Sequence, residues 1–259
     1  MMIIVNDEVD FAEESFYDSS LLKTEYMQRY RERYYHGRQK RFFNPCRNYL
    51  SIINYLNEIH QYQKTHAASF SKRIKAQQKN WKECESIVSE IIVYHSYLRP
   101  MYEGLVSSIF LEADECDVIV ERCDGSKYYL EIFCIMPNLP EEGSADIKTH
   151  TQEAFSSVRQ KLLNKANKQK QFQKERENFA VIELNNHIIA NDFVVPASLS
   201  DGYKINIDRK TMQSVHEGYD WNNSVFELPE TRFLKGIIWF HLGDYQYREI
   251  LINPYYGRK

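Results

Sequence analysis

The 259-residue chain contains no C-x-x-C pair. Its five cysteines (Cys46, Cys84, Cys116, Cys123 and Cys134) are an odd number, which argues against a zinc ribbon and fits a reducing cytosol. No apolar run approaches the ~18 residues of a membrane span, so no membrane contact is expected. The Met1–Val5 run is too short for a signal peptide and is followed at once by acids. The eight histidines fall in no H-E-x-x-H or comparable ligand spacing. G-x-G-x-x-G, Walker and G-x-S-x-G patterns are absent, which removes the common signatures of dinucleotide, P-loop and α/β-hydrolase chemistry. There is no internal repeat. A formal net charge of −3 argues against a wholly basic nucleic-acid binder.

The charge that is present is unevenly placed. Residues 1–20 hold six acids and no Lys or Arg, whereas residues 21–82 hold fourteen Lys/Arg against three acids. Such asymmetry reads either as an acidic arm beside a phosphate-facing surface or as a solvated helical face. With 43% apolar residues a sizeable core can be buried. We divide the chain into an acidic arm (1–20), a helical extension (21–80) and an α/β domain (81–259).

Periodicity supplies the elements. Tyr49, Ile52, Ile53, Leu56 and Ile59 follow helical spacing after Pro45. Trp81, Cys84, Ile87, Val88, Ile91 and Ile92 mark a second helix over about 80–98, which Arg99-Pro100 is expected to end. Residues 64–80 are basic with few apolar anchors. Three strand-like segments follow, over 104–111, 117–122 and 127–136. A loop is expected over 137–144 and a long basic helix over about 149–177. Further strands are expected over 180–184, 233–240 and 247–252. Residues 188–230 resist assignment. The order α-β-β-β-α-β then β-β implies a mixed sheet with helices packed on it.

Glu90 on the helix, Asp117 at the head of the second strand, Glu131 on the third and Lys165 with Gln169 on the next helix resemble the PD-(D/E)xK nuclease superfamily over roughly residues 83–184. Cys116 stands where that family often has proline. The resemblance implies a restriction-endonuclease-like core with an N-terminal helical extension. It implies metal-dependent hydrolysis of DNA or RNA, with Glu90, Asp117 and Glu131 as ligands of Mg²⁺ or Mn²⁺. Lys165 and Gln169 would position phosphate or water, and a homodimer would pair two cuts. The residue types suit this chemistry: two carboxylates on adjacent strands can hold a hard cation while leaving places for phosphate and water. Glu103, Glu112 and Glu121 are weaker alternatives.

Turn geometry sets a condition. If Cys123-Asp124-Gly125 forms a three-residue bulged loop, Arg122 faces Ser126, and Asp117 faces Glu131 on the same side of the sheet. A two-residue turn would send the two carboxylates to opposite faces.

The chain departs from the family pattern at Phe133, where the motif lysine belongs. Lys127 shares the Glu131 face but lies about 13 Å away along the strand; Lys165 is the better substitute. On the basic helix, Phe155, Val158, Leu162 and Ala166 form the buried stripe, with Lys165 at its flank and Lys161, Lys168 and Lys170 expected to point outward. Three functions therefore stand open: an active nuclease, a catalytically inactive nuclease-fold protein that binds nucleic acid or a protein partner, and an interaction or small-molecule domain with no nucleic-acid role. Asp117, Glu131 and Glu90 read alternatively as border carboxylates, and the nineteen tyrosines as packed rings with one wet end rather than stacking platforms.

Overall fold

The structure, a computed structural model, describes residues 3–39, 44–136, 150–167, 172–185 and 191–257. In chain order the helices are α1 (Ile3–Glu14), α2 (Ser19–Leu22), α3 (Glu25–Gln39), α4 (Tyr49–Tyr62), α5 (Lys64–Gln77), α6 (Trp81–Ser96), α7 (Leu98–Tyr102), α8 (His150–Asn167) and α9 (Val194–Leu199). The strands are β1 (Val106–Leu111), β2 (Val118–Arg122), β3 (Lys127–Ile135), β4 (Glu177–Leu184), β5 (Tyr203–Ile207), β6 (Ser214–Tyr219), β7 (Leu234–His241) and β8 (Asp244–Ile252).

Six strands form one mixed sheet in the order β1-β2-β3-β4-β7-β8. The β1-β2-β3 meander is antiparallel, β4 joins β3 in parallel across α8, β7 joins β4 in parallel, and β8 closes antiparallel. Strand alternation splits the core into two layers. Leu130, Ile132, Phe179, Val181, Ile238 and Phe240 face the N-terminal helices and α6. Phe133, Ile135, Ala180, Ile182, Ile237 and Trp239 face α8 and α9. On α8 the stripe Val158, Leu162, Ala166 is buried as its spacing requires, and Phe155 packs edge-on against Phe193.

Three segments differ from the sequence expectation. Residues 3–14 are a helix rather than a loose arm: Val9 and Ala12 are buried, Glu13 binds Arg31 at 2.6 Å and Tyr49 at 2.8 Å, and Asp18 takes Lys75 at 2.7 Å. Glu13 and Asp18 at the start of the chain are thus partners of the basic segment that follows. At Asp18, burial alone would raise the carboxyl pKa; hydrogen bonds from Lys75, Ser20 and the Leu21 N–H outweigh it and hold it below the usual carboxylate range. Residues 64–77 form a helix on Ala67, Phe70 and Ile74, within the helical extension expected over 21–80, whereas residues 172–176, expected to continue the long basic helix, are not helical. Helix α6 ends at Ser96, and Pro100 sits in the first turn of α7, where its missing N–H has no intrahelical partner to lose. The unassigned region contains α9 and a separate β5-β6 hairpin. The expected 137–144 loop lies outside the described residues. No helix among the described residues is long and apolar enough to cross a membrane.

Candidate functional site

The meander turn meets the geometric condition. Gly125 adopts φ +82, its N–H donates to the Arg122 carbonyl at 2.9 Å, and the Arg122 N–H donates to the Ser126 carbonyl at 2.9 Å. Left-handed backbone of this kind suits glycine because it has no Cβ. The ladder then runs Glu121↔Lys127 to Val118↔Leu130, so Asp117, one step beyond, stands opposite Glu131.

β3 continues through residues 131–135 after its last pair with β2. Side chains take over where that partner stops. Asp117 Oδ2 accepts from the Ile132 N–H at 2.7 Å, and Lys161 Nζ donates to the Cys134 carbonyl at 2.6 Å. The divergence opens a cleft of about 470 Å³ between α6 and α8. Glu90, Asp117, Lys161, Asn164 and Lys165 are among its lining residues, together with Arg73 from α5.

Lys165 occupies the centre of the site. Its ammonium lies 2.8 Å from Glu131 Oε2 and 3.2 Å from Asp117 Oδ2. Burial would lower the lysine pKa, but the two carboxylates outweigh it and hold the ammonium well above its ordinary value. Glu131 is 1% exposed, and its Oε1 is buried with no hydrogen-bond partner. Burial, then the charge of Asp117, push its carboxyl up to about 7 against the pull of Lys165. Phe133, two residues on, is packed in the apolar layer under α8. The cation beside Glu131 comes from α8, through Lys165.

Glu90 enters the same cleft, but both of its oxygens are engaged by Arg73, at 2.6 and 2.7 Å. Burial lifts its carboxyl to about 7 despite that pair. Arg73 also reaches Glu112 at 3.5 Å. Sequence reading missed Arg73, because nothing in a basic, weakly amphipathic stretch singles out one arginine. Lys161 is exposed, as expected, while its ammonium bends back to the Cys134 carbonyl at the wall of the cleft. Four residues from Lys165, it stands on the same helix flank, and desolvation of the ammonium there lowers its pKa. Lys127 pairs loosely with Glu121 at 3.6 Å, away from the carboxylate pair, and Glu103 binds the exposed Arg99. Gln169, Lys168 and Lys170 lie outside the described residues.

Asp117 and Glu131 are the groups that could hold a hard cation. Mg²⁺ is commonly held by one or two carboxylates, the rest of its shell coming from water and phosphate. The unpartnered Glu131 Oε1 fits that demand. No cluster of three or more His, Cys, Asp or Glu poised for a metal occurs among the described residues. No family model, no curated protein and no solved structure matches the chain.

Proposed function

We propose that the protein is a metal-dependent phosphodiesterase acting on DNA or RNA, built on a restriction-endonuclease-like core. One observation carries this reading: Lys165 and Asp117 line the cleft, and the Lys165 ammonium bridges Asp117 to the buried Glu131, in the role that Phe133 cannot fill. The element order α6-β1-β2-β3-α8-β4 supports it. So does the placement of both carboxylates where β2 and β3 part.

Asp117 and Glu131 would hold Mg²⁺ or Mn²⁺, with Glu90 as an auxiliary ligand while Arg73 steadies it. When bound, such an ion draws electron density from a phosphate oxygen and acidifies a coordinated water. The chain's own groups do the rest. Lys165 offers N–H donors to the charge that builds on the phosphate as water adds and the ester P–O bond breaks. The proton that the attacking water loses passes to solvent. The departing alkoxide takes up a proton to leave as an alcohol. Five free cysteines fit a reducing cytosol as the setting.

The same lysine also favours a second reading, an inactive nuclease-like protein that binds nucleic acid, because an ammonium already compensates both carboxylates. End-labelled DNA and RNA incubated with Mg²⁺ or Mn²⁺ separate the two. The first reading expects fragments from the parent and about 10²–10³-fold less from Asp117→Ala and Glu131→Ala. A parent that leaves every substrate intact, or variants that cut equally well, overturns it. Retained, steeply salt-dependent binding without cleavage would then identify the second.

A further inference from the structure

Several basic residues of segment 21–82 are tied to acids. Arg31, Arg47, Arg73 and Lys75 are each bound to a carboxylate at 2.5 to 2.9 Å. Arg29 and Arg33 are different. Both are exposed on α3 and lie over the indole of Trp81, with guanidinium carbons 5.2 and 4.3 Å from the ring centroid. Among the described residues, no carboxylate lies within ion-pairing distance of either, Glu25 and Glu32 on the same helix included.

The platform beneath them is fixed. Tyr26 and Tyr30 pack on the same indole, with centroids 4.9 and 5.4 Å away. Their hydroxyls donate to Glu85 at 2.6 and 3.3 Å, deep in the core. A guanidinium stacked on an aromatic ring keeps its N–H edge free, and that edge matches the oxygens of a phosphate in a two-point contact. The stack holds both side chains before any partner arrives, which reduces the ordering that binding requires.

Trp81 is the first residue of α6, and Glu83, in the same helical turn, lines the cleft. Lys161 and Lys165, on α8, line the same cleft. The arginine pair therefore stands at the start of the helix that walls the cleft, and two ammonium groups stand in the cleft itself. We propose that Arg29 and Arg33 on Trp81 form a docking surface for the phosphodiester backbone of a nucleic-acid strand running out of the cleft. Guanidinium forks read phosphate rather than base edges in this arrangement, so the recognition is independent of sequence. The direction of the strand rests on the cleft being the phosphodiester site; binding at the arginine pair is measurable without cleavage.

The test is fluorescence anisotropy with labelled duplex DNA, single-stranded DNA and single-stranded RNA of two unrelated sequences, in EDTA, across 50–200 mM salt. The full-length parent is compared with Arg29→Gln/Arg33→Gln and with the charge-matched Lys64→Gln/Lys72→Gln, exposed on α5. The expected result is a plot of log affinity against log salt that is shallower by about 2 units for the arginine pair on duplex, since each phosphate no longer neutralised takes away about 0.9. The lysine pair should change it by less than half as much. Both sequences should weaken alike, and the three probes show which strand form the surface takes. A parent that binds none of them overturns the proposal. Equal weakening by both pairs, or weakening confined to one sequence, does the same. If the slope changes but the cleavage assay is blank, this surface stands and hydrolysis falls. If cleavage is present and the slope is unchanged, the surface alone falls.

Discussion

Two charged clusters hang from α6 and end differently. On one flank, Glu85 and Ser89 join Arg47 and Glu183 in a sealed network. Arg47 binds Glu85 Oε2 at 2.9 Å and Glu183 Oε2 at 2.5 Å, Ser89 Oγ donates to Glu183, and Asn185 adds a bond to Glu85 at 2.6 Å. All three charged groups are at most 2% exposed. On the other flank, Glu90 looks into the cleft where Lys165 bridges Asp117 and Glu131, and Lys165 and Asp117 remain about a fifth exposed. Both clusters set cations against carboxylates, and each leaves one buried carboxylate oxygen without a partner, Glu183 Oε1 and Glu131 Oε1. The difference is access: water is shut out of the first, whereas the second borders an opening. Sealed charge of this kind specifies how elements dock, because removing a partner leaves an ion stranded in low dielectric. Open charge with unmet valence has the character of a reactive site.

That contrast can be broken from either side. Arg47→Met strands Glu85 and Glu183 and should cost about 3–5 kcal/mol in urea unfolding; a loss below about 1 kcal/mol would mean that the sealed cluster is not structural. Lys165→Met should cost less stability, because water reaches its partners. Its main effect should be a loss of cleavage of about 10²-fold or more, near 2.7 kcal/mol of transition-state stabilisation. If it unfolds the protein as Arg47→Met does, the two clusters do the same job.

A third test is pH dependence. The Glu90 and Glu131 carboxyls sit at about 7, against 4.5 for a free glutamate. Between those values the folded chain binds more protons than the unfolded chain. Stability therefore falls as pH rises from about 4.5 to 7, by at most about 1.4 kcal/mol per pH unit for each proton held, and is flat above. Mn²⁺ binding, which needs ionised carboxylates, should strengthen over the same range. Glu131→Gln should remove its share of the slope in denaturant midpoints measured from pH 4 to 8. An unchanged slope would place its titration elsewhere.

Much of the cleft could be read along the chain because its cues are local. Asp124-Gly125 names the turn, the turn sets the register, and the register places Asp117 opposite Glu131. The spacing of Val158, Leu162 and Ala166 sets Lys165 at the flank of a buried stripe. The sealed cluster left no such trace. Arg47 lies 38 residues from Glu85 and 136 from Glu183, and a single acid inside an apolar helix does not announce its partner. The pairing of Arg73 with Glu90 was hidden for the same reason. The acids of α1 looked like a solvated arm because their apolar mates, Val9 and Ala12, are few and need the neighbouring helices to be covered.

By itself, the order of residues determined the period of each element, the bulged turn, and the two carboxylates that share a face, since these depend on neighbours a few positions apart. Only the folded arrangement decided which charges met. It closed α1 over the basic helices, drew Arg47 and Arg73 to distant glutamates, stacked Arg29 and Arg33 on Trp81, and let β3 outrun β2 so that a cleft opened. Pairings across tens of residues depend on how whole layers pack, and no local periodicity encodes them.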